Sequence, residues 1–278
     1  MSTNLYAIIM HLHPIEPVTM PAMLGTQVHG AFLGMIREHN PALADWLHAD
    51  QGMGQPFGVS LLTPWQVLRK KGWRVKPTDT LKLRVTLVGR PLYEAFMAYF
   101  LNGKFLLRIG RLTTLVTHLE VSGEKEELAG HATMEGLLDE AKPQTEQRLR
   151  FVMPTTWKTG GKHKYFALLP EPLPIFQKLS RKWGQWAPPT LRFDHVPLLD
   201  GLRSEQVLVA GYRLRTVHWN TKKPPSQGFI GSISYEIQGD SDFQRTIDLL
   251  CRFSFFAGVG NSSGRGLGVV VPEQKKVA

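Results

Sequence analysis

The chain has 278 residues, 42% of them apolar and 20% charged, which is enough to bury a core and argues against global disorder. No apolar run approaches the roughly 18 residues that cross a bilayer, and the start Met1-Ser2-Thr3-Asn4 puts no basic stretch ahead of its apolar run, which argues against a secretory leader. Lys and Arg number 33 against 23 Asp and Glu, a net charge of +10 that favours a polyanionic partner, nucleic acid or an anionic membrane surface.

In chain order, Leu5–Leu12 predicts a strand. Thr19-Met20-Pro21 reads as a helix start with its proline in the first turn. The helix should run from Ala22 to about His39, because Leu24, Val28, Ala31, Phe32 and Met35 recur at three- and four-residue steps. Pro41–His48 predicts a short second helix, ended by Gly52 and Gly54. Phe57–Leu62 and Thr80–Val88 read as strands, Leu106–Glu120 as a further strand or bent hairpin arm, and Gly123–Gly130 as a turn. A linker is expected at Leu138–Gln147. A similar cycle follows: a strand at Gln147–Met153, a helix at Ile175–Trp186 behind Pro170, Pro172 and Pro174, and strands at Gln206–His218 and Phe229–Gln238 joined by a basic loop. A helix at Asp242–Phe256 and a strand at Leu267–Val271 complete it.

Each half thus reads strand, helix, strands, helix or loop, strand. That order predicts an α+β fold of tandem ferredoxin-like (RRM-like) domains, 1–145 and 146–278, each an antiparallel sheet with helices on one face. The charge is divided unevenly between them. Residues 1–145 carry a net +1 and residues 146–278 a net +9, which points to a binding face on the second half.

Between the last helix and the last strand lies Gly258-Val259-Gly260-Asn261-Ser262-Ser263-Gly264-Arg265-Gly266-Leu267-Gly268. A dinucleotide fingerprint would follow a strand and open a helix, and a P-loop would need Lys-Ser or Lys-Thr; this loop has neither. Its small side chains suit either tight packing on a helix or close approach to a phosphate chain. His29 falls at the edge of the first helix's apolar stripe, one turn after Gly25. Imidazole can exchange a proton near neutrality, although a lone histidine at such an edge is by default a surface residue. His48 ends the short helix, where a C-terminus favours an imidazolium. His11 and His13 share one strand face without a recognisable third ligand, so no metal is expected. The single cysteine, Cys251, excludes an intrachain disulfide and fits a reducing cytoplasm.

Basic residues interleave with aromatics at Lys158, Lys162, His163, Lys164, Tyr165 and Phe166, and again at Arg181, Lys182 and Trp183. Such a pattern serves phosphate binding and base stacking, or a solvated face with Trp183 and Trp186 anchored in the core. No Ser-His-Asp order, HExxH or CxxC is present.

The ending Phe256-Ala257-Gly258-Val259-Gly260 through Gly264-Arg265-Gly266-Leu267-Gly268 resembles the C-terminal glycine-rich motif of the RAMP proteins. Gly25-Thr26-Gln27-Val28-His29-Gly30-Ala31-Phe32-Leu33, Leu47-His48 with Gln55-Pro56-Phe57-Gly58-Val59-Ser60-Leu61-Leu62, and Pro154-Thr155-Thr156-Trp157-Lys158 are similar to segments of the CRISPR precursor-RNA processing endoribonucleases, the Cas six family. The resemblance implies tandem ferredoxin-like domains and a metal-independent, cofactor-free cut in each repeat. The cut proceeds by 2′-hydroxyl attack and leaves a 2′,3′-cyclic phosphate and a 5′-hydroxyl. It implies His29 as the catalytic general base or general acid, with His48 and Lys158 as secondary catalytic candidates. Lys158, Lys162, Lys164, Arg181, Lys222, Lys223, Gly258, Gly260, Gly264, Arg265 and Gly266 are expected to hold RNA. Partners would be CRISPR repeat RNA, an effector complex or a second copy, with no membrane. The rival expectation is a non-catalytic RAMP subunit that binds guide RNA within an effector assembly; a weaker third is a general RNA-binding protein.

Overall fold

The computed structural model describes residues 3–21, 23–49, 54–64, 67, 72–158, 166–218 and 227–273, with Lys158 and Phe166 described in their backbone only. In chain order the elements are β1 (Asn4–Pro14), β2 (Val18–Met20), α1 (Gly25–His39), α2 (Pro41–His48), β3 (Phe57–Leu61), β4 (Trp73–Val75), β5 (Leu81–Val88), α3 (Arg90–Leu101), β6 (Leu106–Ile109), β7 (Leu112–Glu120), β8 (Gly130–Thr133) and α4 (Met134–Glu140). The second half comprises β9 (Glu146–Thr155), β10 (Trp157–Lys158), β11 (Phe166–Ala167), α5 (Pro172–Trp186), α6 (His195–Arg203), β12 (Val207–His218), β13 (Gln227–Ile237), α7 (Ser241–Ala257) and β14 (Val270–Pro272). Among the described residues no helix is long and apolar enough to cross a membrane.

Both main sheets are antiparallel. The first runs β3-β5-β1-β7-β6, with β8 also pairing β1, and the second runs β12-β13-β9-β14. Each half has the chain path strand, helix, hairpin strands, helix, strand, and its last strand lies beside its first. The halves are therefore two ferredoxin-like units. Residues 141–145 between them are held, not loose. The Asp248 carboxylate of α7 accepts the Lys142 backbone N–H at 3.0 Å and the Gln147 amide at 2.8 Å.

Strand β1 explains its own continuous apolar run. Ile8, Met10 and Leu12 face the first core with Val28, Phe32 and Ile36 of α1 and Phe96 and Phe100 of α3. Leu5 and Ala7 face the opposite way, into the core of the second half with Phe253 and Phe256 of α7. A strand covered on both faces needs apolar side chains at successive positions, not alternate ones. The second unit thus covers the open face of the first sheet and fixes the position of one half against the other.

Four expectations need correction. Helix α1 begins at Gly25, not Ala22, because Val18–Met20 is taken up by pairing with Trp73–Val75. Helix α2 spans Pro41–His48 as expected, but its C-cap is Ala49, not a glycine. The proposed linker overlaps α4 up to Glu140. Helices α3 and α6 have no counterpart in the expected order, although Leu92, Ala95, Phe96, Tyr99 and Phe100 bury one face of α3 at helical spacing.

Arg84 on β5 ties the units together. It is buried, donates from Nε to the Leu128 carbonyl and from Nη2 to the Phe255 carbonyl, both at 2.8 Å, and lies 4.6 Å over the Phe255 ring. Burial pulls its guanidinium down to about 9, which leaves it charged at neutral pH. Arg84→Ala removes two charge-assisted bonds, one of them across the interface to Phe255, and should cost about 3 kcal/mol in urea unfolding. A loss under about 0.5 kcal/mol would mean that the bonds contribute little beyond what water supplies.

Candidate nucleic-acid interface and active site

The glycine-rich loop leaves the C-terminus of α7 and wedges between the two units. Its backbone is bonded to the end of β9 and the residue after it: Asn261 N–H donates to the Thr156 carbonyl at 2.8 Å and Gly268 N–H to the Pro154 carbonyl at 3.0 Å. Within the loop, Val259 N–H donates to the Gly268 carbonyl at 2.9 Å. Gly268 has φ +72°, and a Cβ there would lie 1.9 Å from the Val259 carbonyl oxygen. Only glycine fits that position.

On its other side the loop packs on α1 and β3. A Cβ on Gly25 would lie 2.1 Å from the Arg265 carbonyl oxygen, and one on Gly264 would lie 2.3 Å from Gln55 Oε1. Gly25 lets a helix start in one half and a loop in the other touch backbone to backbone, and Gly264 leaves room for the Gln55 side chain. One turn after Gly25, His29 Nδ1 lies 2.8 Å from the Gly264 carbonyl. A carbonyl can only accept, so Nδ1 carries the proton and Nε2 keeps its lone pair.

His29 is 5% exposed, which corrects its default reading as a surface histidine. Its ring is stacked with Phe57, centroids 5.6 Å apart, and lies 6.4 Å from the ring of His48. Desolvation holds its pKa below the ordinary value of 6.5; the Gly264 bond opposes the shift, and Arg265 and His48 add to it. A neutral imidazole with one nitrogen fixed as donor and the other as acceptor is suited to take a proton.

A cleft of about 670 Å³ opens beside this histidine, lined by His48, Gln55, Lys178, Arg181, Lys182, Ser263, Gly264 and Arg265 among others, with no carboxylate among its described lining residues. Arg181, Arg265 and His48 are exposed. The structure therefore brings together His29, His48, Arg181, Gly260, Gly264 and Arg265 from the expected set. Gly258 and Gly266 lie at the two ends of the same loop; Gly258 meets Lys182, and Gly266 packs on Gly25. Lys158 pairs with Phe166 through the backbone. Lys162, Lys164, Lys222 and Lys223 lie outside the described residues. Trp183 is fully buried and donates Nε1–H to the Leu191 carbonyl, so it anchors α5 and cannot stack on a base. His11 is engaged by Glu126 at 2.9 Å on the first sheet.

Residues 149–270 match the sequence profile of the family described as CRISPR-associated endoribonuclease Cas6. A Cas6 product complex superimposes with a TM-score of 0.82 at 26% identity, covering 97% of this chain and 99% of that one. The chain resembles Cas6 in sequence over its second half and in fold over nearly its whole length. Thermus thermophilus Cas6 is likewise 26% identical, with a TM-score of 0.71 over 98% of this chain and 99% of that one. The CRISPR-associated endoribonuclease Cas6 of Streptococcus thermophilus is 26% identical over 155 residues, 55% of this chain and 60% of that relative's own length.

One basic residue of the cleft, Lys178, escapes a sequence-based selection; Gln55 and Lys182 stand in segments singled out above, with no role of their own expected. Gln55 stands in the Gln-Pro-Phe segment, and its side-chain amide donates to the Leu47 carbonyl at 3.0 Å. Lys178 and Lys182 are four apart on α5, and Lys178 stands three residues before the exposed Arg181, the helical spacing that would have pointed to it.

The C2 proton of His29, followed by NMR in the free protein, should titrate with a midpoint below 6.5. A midpoint above that value would mean that the Gly264 bond outweighs burial.

Proposed function

We propose that this protein is an endoribonuclease that cuts CRISPR repeat RNA within precursor transcripts, with the first unit (1–145) supplying the proton-transfer residues and the second (146–278) most of the RNA-binding charge. The observation that carries the reading is the Nδ1–H bond from His29 to Gly264 beside a basic cleft whose described lining residues include no carboxylate. A phosphodiester backbone needs cations without competing acids, and a cut by internal transfer needs a base and an acid on either side of the phosphorus.

The proposed reaction needs no metal and no cofactor. The 2′-hydroxyl upstream of the scissile bond attacks the phosphorus while neutral His29 takes its proton at Nε2. The P–O5′ bond breaks, and a proton passes to the departing 5′-oxygen. His48, whose ring centroid lies 6.4 Å from that of His29, would supply it. The products are a 2′,3′-cyclic phosphate and a 5′-hydroxyl. Arg181 and Arg265, both exposed on the cleft, offset the added negative charge of the pentacoordinate phosphorus. Lys158, Lys162, Lys164, Lys222 and Lys223 would extend the phosphate contacts along the repeat.

Incubation of the source's own CRISPR repeat RNA in EDTA should give one discrete cut, resolved on a denaturing gel. His29→Ala should slow it about 10²- to 10⁴-fold while RNA binding is retained. The base is the neutral form, whose fraction grows as pH rises through its pKa. The acid limb of the wild-type rate profile should therefore have its midpoint below 6.5. Tight binding with no cut by either protein would assign the chain to non-catalytic guide-RNA binding.

A further inference from the structure

Lys178 and Lys182 sit one turn apart on α5 and turn both ammonium groups to the glycine-rich loop. Lys182 is 1% exposed. Its Nζ donates to the Ala257 carbonyl at 2.5 Å and the Gly258 carbonyl at 3.3 Å, and lies 3.5 Å from Ser263 Oγ. Lys178 Nζ donates to the Gly260 carbonyl at 2.6 Å and to Asn261 Oδ1 at 3.1 Å. Between them the two side chains hold five points along residues 257–263. The next residue, Gly264, supplies the carbonyl that orients His29.

All five acceptors are neutral, and among the described residues neither lysine is in an ion pair. An ammonium buried without a carboxylate is costly. Burial and the neighbouring Lys178 pull Lys182 down to about 7, and burial lowers Lys178 as well. A helix end needs no such arrangement for its last carbonyls, since water or a glycine turn serves them. Arg181, between the two lysines in sequence, is exposed on the cleft and needs no loop contact to stay there. On one helix, then, a guanidinium faces the cleft while two ammonium groups face the loop.

We propose that Lys178 and Lys182 are positioning residues: they fix the glycine-rich loop in the register that presents the Gly264 carbonyl to His29, without themselves touching the reacting atoms. The kinetic part of this proposal rests on the ribonuclease reading above; the structural part does not. A loop released from the lysines can shift its carbonyl away from Nδ1. His29 then loses its fixed tautomer, and the base is misplaced even though its own surroundings on α1 are unaltered.

The test uses full-length protein labelled with 15N-histidine, without RNA, as wild type, Lys178→Met and Lys182→Met. The wild-type His29 resonances should report a single neutral tautomer protonated at Nδ1. Each variant should show a substantial share of the Nε2–H tautomer. In single-turnover cleavage of repeat RNA each should be slower by up to about 100-fold, the size of effect that an ångström of misplacement produces, while RNA affinity is retained. An unchanged His29 tautomer in variants that fold would overturn the proposal, whatever their cleavage rate. A merely structural role would lower the melting temperature and leave the tautomer alone. If Lys182→Met does not fold, Lys178→Met, at a half-buried position, decides the question. If wild type does not cut RNA, the ribonuclease reading fails and the tautomer measurement still stands.

Discussion

The hydrogen bond from His29 to the Gly264 carbonyl joins a helix of the first unit to a loop of the second, and much of the architecture can be traced to making that contact possible. The loop reaches His29 because nothing larger than a hydrogen occupies Gly25 and Gly264. It arrives at the right height because the start of β14 and the end of β9 hold its base through backbone bonds. The second unit is held against the first because β1 is apolar on both faces and α7 lies across the outer one. A chain of backbone approaches therefore connects the position of two ferredoxin-like units to the protonation state of one imidazole.

Charge near α7 follows the same geometry. Arg84 from the first unit and Lys182 from the second both donate to carbonyls at the C-terminal end of this helix, at Phe255, Ala257 and Gly258. Those carbonyls have no partner within the helix and carry the negative end of its dipole, so a cation is favoured there. Arg84 thus joins the two units through a backbone oxygen, beside the ion pairs Arg150–Glu127 and Arg252–Glu140, while Lys182 braces the loop within the second unit. The described residues of the cleft lining include no carboxylate, so the exposed Arg181 and Arg265 keep their charge available to a phosphate.

Much of the fold was legible in the sequence because its strongest signals are local. The apolar stripe of α1, the proline-led start of α2 and the long strands of both halves depend on spacing within one element. Helix α3 follows the same spacing but is crowded with aromatics that read as strand as easily as helix. The extra pairing of Val18–Met20 with Trp73–Val75 joins segments more than fifty residues apart, and no local pattern announces it. The site divides in the same way. His29 and the glycine loop stand out as residue types in unusual places. Whether that histidine is exposed or buried depends on a loop 235 positions away, and only the folded chain shows that contact. Lys178 and Lys182 look like ordinary surface lysines until α7 ends beneath them.

The most direct test is the addition of one methyl group where the two units meet. Gly25→Ala places a Cβ against the Arg265 carbonyl at 2.1 Å, at a helix position where alanine is otherwise well tolerated, and it alters no group proposed to touch RNA. If the loop orients His29, single-turnover cleavage of repeat RNA should fall about 100-fold with RNA binding retained, because the base moves while the basic cleft remains. Cleavage by Gly25→Ala at the wild-type rate would contradict it, and would mean that His29 acts without the loop that holds its ring.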